Sequence, residues 1–277
     1  MSLDFPCTPV IPCRPLQFVA RAGLALLFAA VARAQVVTET FKDATASGWV
    51  FAGVNYTPNL TSGGVDPAGD GWLRLTSTGT NQSTSAYYDT SFAATNATIY
   101  ASFEYQSWGG TGADGITFFL FDGSKSFAVG ADGGSLGYAQ KTGVSGLNGG
   151  YLGVAIDEFG NFSNPTEGRV GGPGFLPDSF AVRGPGSGTT GYDYLGGTGS
   201  LSTSIDTPIV GIRPTTYNQV QNLISPTNQL TVSLQQGASS PQTVLALDLS
   251  GYARPDTLKF GFSSGTGAST NNHEVRN

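Results

Sequence analysis

The sequence predicts an all-β protein, and three observations predict it. Gly supplies 40 of the 277 residues, and Ser, Thr and Asn are abundant; these serve tight turns, whereas long helices draw on Ala, Leu, Glu and Lys. Apolar and polar residues alternate with period two in several runs, and no run carries a helical stripe. A chain that is 39% hydrophobic and 11% aromatic has enough apolar surface to offset its ordering entropy, so it is not a disordered polymer. With 13 Lys and Arg against 19 Asp and Glu it has no basic field for a polyanion, which excludes nucleic acid as a partner class.

Taken in order, residues 1–34 read as a secretory signal peptide. Arg14 and Arg21 precede an apolar run from Ala22 to Ala32 that ends in the small-x-small tripeptide Ala32-Arg33-Ala34. The run is too short to span a bilayer, so no membrane span is expected. Both cysteines, Cys7 and Cys13, fall in this segment, which leaves residues 35–277 to fold without a disulfide in an oxidising destination. A secreted or cell-surface protein held by one large core is the expectation, because burial improves with domain size.

Ile99, Ala101, Phe103 and Tyr105 alternate with polar partners, as do Leu230, Val232 and Leu234, and then Leu258, Phe260 and Phe262. Each set predicts a half-buried antiparallel strand. Ile116 to Phe121 and Tyr151 to Ile156 are apolar nearly throughout and predict central strands buried on both faces. Weaker strands are expected at Val36 to Phe41, Trp72 to Thr76, Ser85 to Asp89, Ser179 to Val182 and Thr243 to Leu249. The glycine-rich stretch from Asn161 to Thr207 reads as long surface loops inside one domain, since strands continue on both sides.

Enzyme signatures are sparse. His273 is the only histidine, and neither a Gly-x-Ser-x-Gly elbow nor a phosphate loop occurs. A sandwich glycosidase needs two carboxylates on one strand face; Asp157 and Glu158 are adjacent, so a strand sends them to opposite faces. Asp157-Glu-Phe-Gly-Asn161 instead places a carboxylate and an amide oxygen four residues apart, with the Phe159 carbonyl between. Calcium takes such oxygen ligands, and a turn without an ion has the same spacing.

Four segments in sequence sharpen the reading: Gly112-Ala-Asp-Gly-Ile-Thr-Phe-Phe-Leu120, Gly133-Gly-Ser-Leu-Gly-Tyr138, Leu152-Gly-Val-Ala-Ile-Asp-Glu-Phe-Gly-Asn161, and Phe260-Gly-Phe-Ser-Ser-Gly with Asn272-His-Glu-Val275. Together they resemble the L-type (legume-like) lectin family, bacterial exported members especially, from about Phe41 to Val275. The resemblance implies a concanavalin A-like jelly-roll sandwich of two antiparallel sheets over residues 35–277. It also implies a calcium-dependent carbohydrate-binding protein without catalysis, with glycans or polysaccharide as partners and homo-oligomers as an option. It places sugar-binding residues at Asp114, preceded by a cis Ala113-Asp114 peptide, and at Gly133, Gly134, Phe159 and Asn161. The last specificity loop falls in Ser263 to Thr270, at Gly265 and Thr266. Ca2+ is implied at Asp157, the Phe159 carbonyl and Asn161. The family's second calcium Asp meets Thr166 here, and Glu167 or Asn164 is the substitute, Glu167 being the acidic one. Ala155 takes the place of a transition-metal Glu, so no second metal is expected. Two rival functions remain beside the lectin: a structural matrix or surface protein that has lost the sugar site, and a glycoside hydrolase or lyase on the same fold. The chain also ends at Asn277, just inside what resembles the family's closing strand.

Overall fold

The computed structural model describes residues 34–277, so the expected signal segment lies outside the described residues except for Ala34. Two antiparallel sheets face each other. The first runs in the order Trp49–Val54, Ser83–Tyr88, Thr257–Gly265, Gly115–Asp122, Gly150–Asp157, with Ser179–Arg183 paired beyond the last. The second runs in the order Gln242–Asp248, Gln229–Gln236, Asn218–Ile224, Ile99–Trp108, Asn272–Arg276, Leu73–Thr76 and Asn59–Leu60. Among the described residues the one helical turn is the 3-10 turn Gly133–Ser135. Val37–Asn277 form one compact unit. Among the described residues no helix is long and apolar enough to cross a membrane.

Period two does the sorting. Ile99, Phe103 and Tyr105 from the second sheet meet Ile116, Phe118 and Leu120 from the first across the sandwich core. Leu230, Val232 and Leu234 join them, as do Leu258 and Phe262. The two apolar runs pair directly, with Ile116 opposite Ile156, Phe118 opposite Val154 and Leu120 opposite Leu152. Their other face is buried as well, because residues 123–149 fold back over it. Leu136, Tyr138 and Leu147 cover Phe119, Phe121 and Ala155 in a second apolar cluster. Gly153 is needed there for space: a Cβ would stand 2.6 Å from the Tyr138 ring.

One expected strand does not form, and two strands form that the pattern did not predict. Val36 to Phe41 pairs with no strand; Phe41 takes a φ of 55° and turns its ring edge-on to Trp49 at 4.8 Å, plugging the sandwich instead of extending a sheet. Asn218–Ile224 is a full inner strand that the pattern hid, because the inward position between Val220 and Ile224 is held by Asn222. Trp49–Val54, an edge strand with mixed exposure, was hidden for the same lack of contrast.

Candidate glycan-binding site

Four chain segments converge at one end of the first sheet. Asp114 immediately precedes the strand Gly115–Asp122 and is stitched to two neighbours through its backbone. Its N-H donates to Gly265 O at 3.1 Å, and its carbonyl accepts from the N-H groups of Glu158 (3.1 Å) and Phe159 (3.2 Å). The Ala113-Asp114 peptide is cis. Gly115, at φ 146°, follows; a Cβ there would lie 2.2 Å from Ile156 O, so the strand can approach this closely only as glycine.

The Asp114 carboxylate is buried; the Gly267 amide is directed at it, and its Oδ2 is left without a hydrogen bond of normal geometry. Glycines cover it: a Cβ on Gly267 would stand 3.3 Å from that oxygen, and one on Gly133 would stand 4.0 Å away. Burial pushes the Asp114 carboxyl up to about 7, against the pull of His273, the Gly267 amide and Arg169. The glycine turn is joined to the last loop by Gly133 N-H, which donates to Thr266 O at 3.2 Å. Gly134 lies against Asn161, where an added Cβ would be 2.1 Å from the Asn161 Cβ. The structure therefore brings Asp114, Gly133, Gly134, Asn161 and the residue 265–267 backbone together.

Thr266 is brought close but turned away. Its hydroxyl donates to Gly79 O (2.8 Å) and accepts from Gln82 N-H (3.0 Å), so it braces the loop from within. Gly265 is likewise a support, packed on the Gly133 carbonyl. The accessible part of that loop is Gly267 to Ser269. Phe159 sets its ring edge-on to Phe175 at 5.3 Å, and Phe175 is exposed. Phe162, which flanks the same loop, is fully buried under Tyr138 and offers no stacking surface.

Asp157 ends the central strand fully buried. Oδ1 accepts from Gly160 N-H at 2.9 Å, and Oδ2 accepts from Phe162 N-H at 2.8 Å and Ser163 N-H at 3.4 Å. Burial, aided by the neighbouring Asp114 charge, raises its carboxyl to about 8 against those three N-H bonds. Asn161 Oδ1 accepts from the Asn164 amide at 3.3 Å. On the opposite side of the backbone, Glu158 meets His273 Nε2 at 3.1 Å and Asn271 Nδ2 at 2.9 Å, which makes His273 a core residue.

Two further residues, Lys141 and Arg169, escape sequence reasoning, and a third, Gly267, is legible only as part of the expected Ser263 to Thr270 loop. Lys141 pairs with Asp132 at 3.2 Å, and its ammonium would stand 3.8 Å from a Cβ on Gly133. Gly267 covers Asp114 Oδ2. Arg169 is buried with Nη1 donating to Ser135 Oγ at 3.1 Å, beside the glycine turn. The signal for Arg169 was its isolation: a lone cation in a Gly, Pro and Asn loop of a chain only 12% charged.

No family model and no curated protein matches this chain by sequence. Solved structures do match. A Lotus tetragonolobus seed lectin superposes with a TM-score of 0.61 at 14% identity, covering 87% of this chain and 95% of that one. Peanut lectin in complex with a nine-residue peptide gives 0.58 at 19%, covering 88% and 98%. The exoplasmic/lumenal domain of VIP36, in a Ca2+- and mannose-bound form, gives 0.56 at 17%, covering 83% and 80%.

The chain has the legume and L-type lectin fold.

In this lectin-fold chain the residues expected to hold calcium do not fit the ion. Glu167 is corrected first: its carboxylate is half-exposed and pairs with Arg169 Nη1 at 3.1 Å. The Thr166 hydroxyl, at the family's second acidic position, accepts from Arg169 Nη2 at 3.1 Å. What remains is one carboxylate already holding three N-H groups, one carbonyl and one amide oxygen. Calcium takes six to eight oxygens, and carboxylate count sets its affinity.

Proposed function

We propose that this protein is an exported carbohydrate-binding protein that works without catalysis and takes glycan hydroxyls at Asp114. One observation carries the reading: Asp114 Oδ2 is a buried carboxylate oxygen without a hydrogen bond of normal geometry, covered by two residues that lack side chains. Such an oxygen costs free energy until a donor reaches it, and glycines let a small donor approach. A sugar hydroxyl is a donor of the right size. Gly134 and Asn161 form the adjoining wall, and the exposed Phe175 beside Phe159 offers an apolar face for the C-H side of a pyranose. The fold supports this reading, as do solved neighbours whose descriptions name mannose, GalNAc and galactose.

The hydrolase reading has less support. The outer face of the central strands carries Thr117, Phe119 and Phe121 beside Gly153 and Ala155, and it lies under the Tyr138 cluster. That face presents no pair of carboxylates to a substrate.

Mannose-, galactose- and N-acetylgalactosamine-coated surfaces, then a broader glycan panel, test the proposal. The protein is expected to bind at least one glycan. Assayed above pH 8, where the Asp114 carboxyl is ionised despite its burial, Asp114→Asn removes a charged acceptor, whose hydrogen bonds contribute roughly 1.5 to 3 kcal/mol each, so affinity should fall at least about tenfold with the fold retained. No glycan bound by the folded protein would instead favour the structural-protein reading.

A further inference from the structure

The segment between the strands Gly150–Asp157 and Ser179–Arg183 forms one wall of the site, yet it contains no regular secondary structure. A segment of that length must find partners for its own backbone groups. Three buried side chains provide them from the inside. Asp157 gathers the N-H groups of Gly160, Phe162 and Ser163. Arg183, fully buried, donates to the carbonyls of Phe162 (2.7 Å), Val170 (2.7 Å), Gly171 (3.3 Å) and Tyr192 (2.8 Å). Arg169 donates to Asn164 O at 3.2 Å and to the Thr166 hydroxyl within the segment, and it reaches across to Ser135 beside the glycine turn.

Two buried bases stand in the field of the two buried acids: Arg169 acts on Asp114, and Arg183 on Asp157. Asp157 and Arg183 hold opposite ends of the same residue, its N-H and its carbonyl, at Phe162. A divalent cation introduced at Asp157 would meet the Arg183 guanidinium, with Arg169 acting on Arg183 in turn, in a poorly screened interior where like-charge repulsion is strong. A guanidinium also does what a bound cation does for a loop, since it collects several oxygens in one plane and cannot lose its charge.

We propose that the guanidinium groups of Arg169 and Arg183 replace a bound calcium ion in this chain. They fix the residue 158–178 segment against the glycine turn, and glycan binding at Asp114 is therefore independent of divalent cations. The binding part of this inference rests on the carbohydrate reading above; the structural part does not.

The test uses the purified wild-type protein in calcium and in EDTA, with affinity measured for whichever glycan of the panel binds and thermal unfolding followed in parallel. Affinity is expected to change by less than about twofold, and the melting temperature to stay the same, because an ion that is not bound contributes no linkage. Binding that disappears in EDTA and returns with calcium would overturn the cation replacement while leaving the carbohydrate reading intact. Absence of glycan binding in both conditions would remove the carbohydrate reading, and the melting temperature would still decide the structural part: a rise with calcium sinks it. Arg169→Gln supplies a second arm. Proteolytic cleavage within residues 158–178 should become faster in this variant, with the far-ultraviolet spectrum retained and no recovery on adding calcium. Unchanged protease resistance, or restoration by calcium, would refute the role given to Arg169. If the variant does not fold, the wild-type comparison still stands.

Discussion

Asp206 illustrates how single residues at this end of the sandwich are tuned by their neighbours. Its carboxyl is pushed up to about 6, first by burial and next by the charge of Glu158, whose carboxylate shares the Asn271 amide with it at 2.9 Å on each side. A carboxyl with a raised native pKa holds its proton longer in the folded state than in the unfolded one. Its contribution to stability is full below the unfolded value of 3.8 and is lost as pH rises through about 6. Asp206→Asn keeps an oxygen for Asn271 and removes the charge. The variant should melt above wild type at pH 7.5, with the difference shrinking below pH 4, as thermal unfolding across a pH series would reveal. Asp114 is the complementary case. Its identity and its cis peptide followed from the resemblance of a short motif, but the orphaned oxygen and the Gly267 cover depend on a loop some 150 residues later in the chain.

At the scale of the element, the strands Gly115–Asp122 and Gly150–Asp157 decide the site. They set Asp114 and Asp157 at adjacent strand ends, and each end is fixed only as firmly as the strand behind it. Phe118 anchors the first of them, 2% exposed, with ring contacts to Phe103 at 6.1 Å and Phe262 at 5.9 Å. Phe118→Ala opens a cavity between the sheets and should cost about 3 to 5 kcal/mol, read as a lower urea midpoint at unchanged slope. The continuous apolar character of both runs was plain in the sequence. The reason for it was not, because the outer face is covered by a segment without periodicity, residues 123–149, whose packing depends on Tyr138 meeting Gly153.

At the scale of the whole molecule, each sheet has a late strand inserted between earlier ones. Asn272–Arg276 lies between Ile99–Trp108 and Leu73–Thr76, and Thr257–Gly265 lies between Ser83–Tyr88 and Gly115–Asp122. Neither half of Val37–Asn277 can complete a sheet without the other. Thermal unfolding should therefore be a single cooperative transition that coincides by fluorescence and circular dichroism. Two resolved transitions, or stable fragments after nicking near Gly171, would contradict this topology.

The sequence by itself determined the all-β class, the two central strands and the positions of Asp114 and Asp157, because strand periodicity and strand-end motifs are local properties. Only the tertiary structure decided that Asn218–Ile224 is an inner strand, that Thr266 faces inward and that Glu167 pairs with Arg169. The first two outcomes turn on which group from a distant segment arrives to fill a vacancy, and the third on Arg169 being held at Ser135. Hydrogen-bond satisfaction and charge pairing are settled between segments, so a local pattern can name the residue that needs a partner without naming the partner it receives.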